Sequence, residues 1–202
     1  MLTLYHGPNT RSSRIVQLLI EMDALDKVDI RVVGLVRRGN IGAPDPANPH
    51  TEGKVPLLDH DGTLIRESNA IILYLTDHFA SEMGVPIGDS RRGAYLSWLA
   101  YYGNVVEPVM IGLAAGVDHP AFHSTFRGPK ELYAHLDQTL AQQPYLLGDS
   151  YTAADLLMAS PFQFMPDFIP DMPNIKAWID RCGSRPSINE MKERDAAMLE
   201  AA

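Results

Sequence analysis

Three hydroxyl side chains stand close together near the start of the chain, in the segment PNTRSSR. Thr10, Ser12 and Ser13 follow a strand-like pattern and precede a helical one. The first backbone N–H groups of a helix have no partner within the helix. A hydroxyl at this position, assisted by the helix dipole, can stabilise an anion such as a thiolate. The segment therefore predicts a site that can stabilise an anion.

A second segment, GKVPLLDHDGTLIRESNA, has features of a peptide-binding site. Pro56 lies in an apolar run, where a proline signals an edge, a bulge or a special peptide geometry. A cis bond after Val55 would turn the backbone of Val55 toward an extended ligand. Glu67 can bind an ammonium group, and Ser68, at a helix start, can bind a carboxylate. The alternatives are a proline that only protects an edge and a serine that only caps the helix.

The composition is that of a globular protein and argues against several function classes. The chain has 202 residues, of which 46% are hydrophobic, and a net charge of −8 without a Lys/Arg tract. We therefore expect neither nucleic-acid nor membrane binding. The N-terminus lacks the features of a signal peptide, which predicts a cytoplasmic location. The single cysteine, Cys182, cannot form an internal disulfide or supply a zinc site alone, and we expect no metal.

The periodicity divides the chain into two parts. LTLYH and VDIRVV have strand patterns on either side of the helical RSSRIVQLLIEMD, which predicts a βαβ unit. KVPLL and TLI, joined by DHDG, predict a hairpin that the helix SNAIILYLTDHF follows. Beyond residue 90 only helical patterns recur, and GDSYTAAD predicts a capping box of Thr152 with Asp155. The predicted domains are 1–80 and 90–202, with a linker at 81–89.

The element order and the motifs GKVPLL, ESNAI and GDSYTAAD together resemble the cytosolic glutathione S-transferase family, bacterial-like and of the serine/threonine type. The resemblance covers nearly the whole chain. It implies an α/β thioredoxin-like N-terminal domain (βαβ-ββα) with a cis Val-Pro bond, an all-α helical-bundle C-terminal domain and a homodimer. It also implies glutathione as co-substrate. The implied glutathione contacts are Arg11, His50, Lys54, Val55, Pro56, Glu67 and Ser68.

The resemblance also implies which hydroxyl activates the thiol. In serine-type members this group lies four residues before an arginine early in the first helix, and counting back from Arg14 gives Thr10. Ser12 is an alternative if the loop is set differently. Tyr5 is another, since tyrosine-type members place a phenol at the end of strand one, although core packing also explains it. No cysteine starts the first helix, which disfavours thiol exchange with a protein cysteine.

The predicted reaction joins the glutathione thiolate to a small hydrophobic electrophile, or reduces a peroxide. The helical domain is expected to form the electrophile pocket, with four candidate residues: Trp98, Tyr101, Tyr102 and Asn104. Two other functions remain open. One is a non-catalytic glutathione-binding or protein-interaction module of the same fold. The other is a glutathione-dependent isomerase or dehalogenase, which would differ only in the second-domain pocket.

Overall fold

A computed structural model of the protein describes residues 1–36 and 41–200 and divides into two compact units. Met1–Ser81 and the helix that begins at Pro186 form the first unit, and Glu82–Arg185 form the second. This division differs from the predicted domain at 90–202, because the last helix packs with the first unit. Asp195 and Ser187 of that helix bond to side chains near the N-terminus.

A four-stranded sheet in the order β2-β1-β3-β4 forms the centre of the first unit. β1 (Leu2–His6) pairs in parallel with β2 (Val28–Val32) and antiparallel with β3 (Leu57–His60), which pairs antiparallel with β4 (Thr63–Ile65). The turn between β3 and β4 has φ 50° at Asp61 and 87° at Gly62, as a tight hairpin requires. The predicted thioredoxin-like βαβ-ββα order is confirmed.

The described residues of the first unit form three α-helices, α1 (Ser13–Glu21), α2 (Ser68–His78) and α9 (Pro186–Glu200), and a short 3-10 helix, Leu25–Lys27. α1 buries Ile15, Leu18 and Leu19, and α2 buries Ile71 and Leu75, as the helical spacing predicted. α9 packs along α1. This contact brings a residue near the end of the chain to the loop that precedes α1.

The regular elements among the described residues of the second unit are helices, as predicted, apart from an isolated β-bridge between Tyr145 and Gly148. The helices are α3 (Arg92–Tyr101), α4 (Glu107–Ala114), α5 (Pro120–Phe126), α6 (Pro129–Leu140), α7 (Ala153–Phe164) and α8 (Pro173–Gly183). α7 is buried along most of its length, which fits its nearly uniform apolar sequence. Across residues 1–36 and 41–200, no helix has the length and apolar character needed to cross a membrane.

A π-helical turn, Tyr102–Val106, joins α3 to α4. Pro108 follows this turn, and it has no N–H to bond to the carbonyl four residues earlier. The proline ring would also clash with that carbonyl in a regular α-helix. The wider π turn accommodates both effects. It leaves Tyr102 buried and Asn104 exposed.

The capping box at the start of α7 is confirmed and extends further than the sequence indicated. Asp155 accepts hydrogen bonds from the N–H and the hydroxyl of Thr152, both at 3.0 Å. It also accepts the Leu146 N–H and the indole N–H of Trp178, each at 2.9 Å. Burial raises the pKa of Asp155, although all four donors oppose that shift. The carboxylate thus connects α7, the preceding turn and α8.

Candidate functional site

Thr10 lies at the half-buried edge of the loop between β1 and α1. Its hydroxyl donates to the Gly7 carbonyl at 2.6 Å and accepts the Ser12 N–H at 3.2 Å. The hydroxyl oxygens of Thr10 and Ser12 are 2.8 Å apart. The hydroxyl therefore stands beside the N-terminus of α1, which begins at Ser13.

Ser12 lies deeper, and its side chain is fully buried. Its hydroxyl oxygen accepts the Gly7 N–H at 3.0 Å and lies 3.1 Å from the Gly7 carbonyl oxygen. It also lies 2.7 Å from Nδ1 of His6. These contacts direct the Ser12 hydroxyl into the interior of the unit rather than toward a ligand.

His6 and Asp195 extend this network, and the sequence reasoning missed both. Nε2 of His6 lies 3.0 Å from one carboxylate oxygen of Asp195. The other oxygen accepts the Asn9 N–H at 2.7 Å and the Ser13 hydroxyl at 2.5 Å. Burial alone would raise the pKa of Asp195, but the hydrogen bonds from His6, Asn9 and Ser13 reverse this and lower it.

Tyr5 belongs to a different face of the sheet. Its ring packs with Val33 and Leu57, against Leu35 and Val55. Successive strand residues point to opposite faces, and His6 points toward α9. Tyr5 is therefore directed away from the loop that holds Thr10 and Ser12, and its packing fits the core alternative.

The Val55-Pro56 bond is cis, as the resemblance implied. β3 begins after it, at Leu57. Among hydrogen bonds between residues that the structure describes, none involves the N–H or C=O of Val55. The neighbouring Lys54 is exposed and pairs with Glu52 at 2.5 Å, and this hydrogen bond lowers the pKa of Glu52.

Asn48 orders the loop that leads to Val55. Its buried side chain accepts the His50 N–H at 3.0 Å and donates to the Lys54 carbonyl at 3.3 Å. Nδ1 of the half-buried His50 accepts the Glu52 N–H at 3.0 Å. Because Nδ1 serves as an acceptor, the proton of a neutral His50 ring is on Nε2.

Glu67 and Ser68 stand at the N-terminus of α2, as predicted. Glu67 is exposed and has φ 72° and ψ 127°, a conformation that costs a residue other than glycine about 1–3 kcal/mol. Such strain concentrates at binding sites. Ser68 begins the helix, and within the described part of the chain its N–H and hydroxyl form no hydrogen bond.

The four predicted electrophile contacts divide between interior and surface in the second unit. Trp98 is buried and stacks on His135, with ring centroids 4.8 Å apart. Tyr101 is half-buried, with its ring edge-on to Trp98, and burial raises the pKa of its hydroxyl. Tyr102 is buried and Asn104 is exposed. Tyr101 and Asn104 are therefore the two that a ligand can reach.

A metal site and a cysteine nucleophile find less support in the described residues. Arg11 is exposed beside Thr10. No three His, Cys, Asp or Glu side chains within residues 1–36 and 41–200 are arranged to hold a metal ion. Cys182 is fully buried in α8, and this burial raises the pKa of its thiol, so it is poorly suited to act as a nucleophile.

Comparisons with known proteins match this chain over both units. Residues 4–83 match the N-terminal domain of glutathione S-transferase, and residues 111–186 match its C-terminal domain. Glutathione S-transferase 3 of Schizosaccharomyces pombe is 26% identical over 96% of this chain and 88% of its own length. A crystal structure of a glutathione S-transferase from Actinobacillus pleuropneumoniae has a TM-score of 0.79 and 23% identity, over 97% of this chain and 93% of its own. A sphingomonad glutathione S-transferase in complex with glutathione has a TM-score of 0.74 and 24% identity, over 96% and 98%.

Proposed function

This chain belongs to the glutathione S-transferase family, and from this premise we propose that it binds glutathione and stabilises its thiolate for attack on a small hydrophobic electrophile or a peroxide. The observation that carries the proposal is the N-terminus of α2. Glutathione has an α-ammonium and an α-carboxylate on one carbon atom. The exposed carboxylate of Glu67 binds the first group, and the N–H and hydroxyl of Ser68 bind the second.

Val55 binds the middle of the tripeptide. Its N–H and C=O have no partner within the described residues, so they can pair with the cysteine backbone of glutathione as a short added strand. Pro56 fixes the position of Val55 beside the start of β3. This contact would orient the cysteine side chain of glutathione.

The glycine carboxylate of glutathione is the negative group at the other end of the ligand. Lys54 supplies a positive charge, and Nε2 of His50 supplies a donor. Arg11, exposed beside Thr10, would contribute to the rim of the same site. These three are peripheral contacts, whose loss we expect to weaken binding less than the loss of Glu67.

Thr10 is the group that stabilises the thiolate in this proposal. Its hydroxyl is half-buried, whereas Ser12 is fully buried and Tyr5 packs on the opposite face of the sheet. A hydroxyl donor favours the anionic form of the thiol and thereby lowers its pKa. Ser12 and Tyr5, the second and third candidates that the sequence offered, are therefore disfavoured for this role.

The second unit provides the electrophile contacts, with Tyr101 and Asn104 favoured over the buried Trp98 and Tyr102. We also expect a homodimer, as the family resemblance implies. Sedimentation velocity at two protein concentrations tests the dimer independently of catalysis.

Calorimetric titration with glutathione tests the central contact. Glu67→Gln removes the charge that pairs with the α-ammonium, and it should weaken binding by about tenfold, as expected for a charge-assisted hydrogen bond. Glu82→Gln makes the same change at an exposed residue of the second unit and is the matched control. Equal affinities for the two variants would contradict the proposed role of Glu67.

A turnover assay with electrophiles and peroxides separates the remaining functions. Turnover of a conjugation substrate supports the transferase. Tight binding without turnover of any substrate would favour the non-catalytic module. The observation that favours this alternative is the hydrogen bond from the Thr10 hydroxyl to the Gly7 carbonyl, because it uses the hydrogen that a thiolate would need. Isomerisation or dehalogenation of a substrate that requires glutathione would identify the third function, a glutathione-dependent isomerase or dehalogenase.

A further inference from the structure

The turn that precedes Val55 presents a carboxylate. The Gly53 N–H donates to the His50 carbonyl at 2.8 Å and closes a four-residue turn, in which Glu52 is the third residue. Gly53 has φ 62°, a conformation that glycine adopts without strain, and it leads the chain on to Lys54. The Glu52 side chain is exposed. The turn therefore places an acidic group beside the residues assigned to the glycine end of glutathione.

Two cationic side chains converge on the Glu52 carboxylate. Nζ of Lys54 lies 2.5 Å from Oε2, and Nη1 of Arg66 lies 4.0 Å from Oε1. Arg66 follows β4 and also donates to the Thr51 hydroxyl at 3.4 Å. The hydrogen bond from Lys54 is the main cause of the lowered pKa of Glu52, and His50 and Arg66 contribute less. Each oxygen of this ionised carboxylate thus has a positive group near it.

The proposed function gives Lys54 a second carboxylate to bind, that of the glycine residue of glutathione. Two carboxylates beside one ammonium repel each other, so a ligand that uses the full charge of Lys54 must displace Glu52. The pair can open, because the two side chains are 69% and 55% exposed and an exposed ion pair contributes little free energy. Arg66 offers the released carboxylate another partner, already 4.0 Å away.

We infer that Glu52 competes with the glycine carboxylate of glutathione for Lys54, and that on binding the Glu52 carboxylate moves from Lys54 to Arg66. This inference rests on the proposed function, because it requires a ligand carboxylate beside Lys54. It makes Glu52 a specificity-determining residue. Glu52 reduces the gain in affinity that the glycine carboxylate provides, and thereby narrows the difference between glutathione and derivatives in which this carboxyl is blocked.

Calorimetric titration at fixed ionic strength, with glutathione and with its glycine ethyl ester, tests the competition. Glu52→Gln should increase the affinity for glutathione by about two- to fivefold, the range expected for release of an exposed ion pair. The affinity for the ester, which has no carboxylate at this end, should not change. An affinity for glutathione that is unchanged or lower in Glu52→Gln would overturn the inference.

Asp29→Asn is the matched control for the change in net charge. Asp29 forms an exposed ion pair with Arg31 at 2.8 Å, so this variant also removes one negative charge from the first unit and frees one cation. Both residues lie on β2, which is separated from β3 by β1. The affinity for glutathione should stay as in the unmodified protein. A rise equal to that of Glu52→Gln would assign the effect to net charge and overturn the inference.

A double-mutant cycle tests the part of Arg66. Arg66→Gln should weaken glutathione binding by about twofold, because the displaced Glu52 then lacks its second partner. In the Glu52→Gln background the same change should have no effect, since no carboxylate is displaced. Loss of the contact between Arg66 and Thr51 is common to both backgrounds and cancels in the cycle. An equal loss in both backgrounds would show that Arg66 acts on the ligand directly, and would contradict the transfer of Glu52.

The two ligands also separate this inference from the proposed function. Binding of both to the unmodified protein, with affinities that Glu52→Gln leaves unchanged, would overturn the inference and leave the proposed function intact. Failure of both ligands to bind the unmodified protein would contradict the proposed function, and the inference with it. Because Glu52 is exposed, thermal unfolding of Glu52→Gln should match that of the unmodified protein, so the affinities can be compared directly.

Discussion

Each unit of the protein contains a buried aspartate that accepts several hydrogen bonds, and the two differ in what surrounds them. Asp155, in the second unit, accepts four hydrogen bonds from Leu146, Thr152 and Trp178, and none of these donor groups carries a charge. Asp195, in the first unit, faces a histidine. The first network consists of backbone N–H, indole and hydroxyl groups, while the second includes an imidazole ring, whose two nitrogens can each donate or accept.

The difference also appears in where the networks end. Every partner of Asp155 is part of the packing around α7 and α8, so we expect this network to contribute to stability alone. The network of Asp195 ends at half-buried Thr10, so we expect it to contribute to stability and to the site. The pKa of the two carboxyls shifts in opposite directions, upward through burial at Asp155 and downward through hydrogen bonds at Asp195.

Asp155→Asn should have the largest effect. Depending on its orientation, the new amide NH₂ would face either the Thr152 N–H or the Leu146 and Trp178 N–H groups, so at least one buried N–H would lose its acceptor. We expect a loss of about 3 kcal/mol in the free energy of unfolding, measured by urea denaturation. The pKa of the bound glutathione thiol should not change in the folded fraction. A shift of that pKa would show that the two networks are not independent.

Asp195→Asn should cost less, about 1–2 kcal/mol, although it makes the same chemical change. The new amide can donate to Nε2 of a neutral His6 ring, while its oxygen still accepts from Asn9 and Ser13. The histidine can therefore adapt, as the three N–H partners of Asp155 cannot. If urea denaturation gives a loss equal to that of Asp155→Asn, the distinction between an adaptable and a fixed network is wrong.

Ser187→Ala should cost about 0.5–1 kcal/mol, because it removes hydrogen bonds between α9 and α1 without a change at Asp195. Thermal unfolding beside the unmodified protein measures this. Ser184, an exposed serine that follows α8, provides the control, and Ser184→Ala should be close to neutral. A loss at Ser187 as large as that at Asp195 would assign the docking of α9 mainly to Ser187.

The smallest effect is the dependence of stability on pH. Because folding lowers the pKa of Asp195, its contribution to stability is complete above about pH 3.9, the pKa in the unfolded chain. This contribution is lost as the pH falls through the pKa in the folded protein. The raised pKa of Asp155 gives the opposite slope, with stability lost as the pH rises through its folded value. Denaturation at several pH values should show Asp195→Asn less sensitive to acid than the unmodified protein. If Asp195→Asn and the unmodified protein lose stability equally as the pH falls, the ionised Asp195 does not contribute to stability as proposed.

The sequence predicted the features that depend on neighbours along the chain. The capping box of Thr152 with Asp155 spans three residues, and the turn at Asp61-Gly62 depends on two. The start of α2 at Ser68 follows from the same kind of local signal. Such features are readable because one short segment contains both the group and its partner.

The network at His6 could not be predicted in this way. His6 ends a strand and Asp195 lies in the polar segment KERDAAM, 189 residues later, where its spacing resembles that of exposed acidic residues. Neither residue has a local partner that would mark it. The bond from Trp178 to Asp155 was missed for the same reason, since it joins two helices that the sequence treats separately. The burial of Ser12, an alternative catalytic hydroxyl in the sequence analysis, likewise depends on contacts with His6 and Gly7 that the fold creates.

Titration of the thiolate absorbance of bound glutathione tests the central claim most directly. Thr10→Val keeps the shape of the side chain and removes the hydroxyl, whereas Thr10→Ser keeps the hydroxyl. We predict that Thr10→Val raises the thiol pKa by about one to two units, the equivalent of one hydrogen bond to a charged group, and that Thr10→Ser restores a value near that of the unmodified protein. An unchanged thiol pKa in Thr10→Val would contradict the assignment of Thr10.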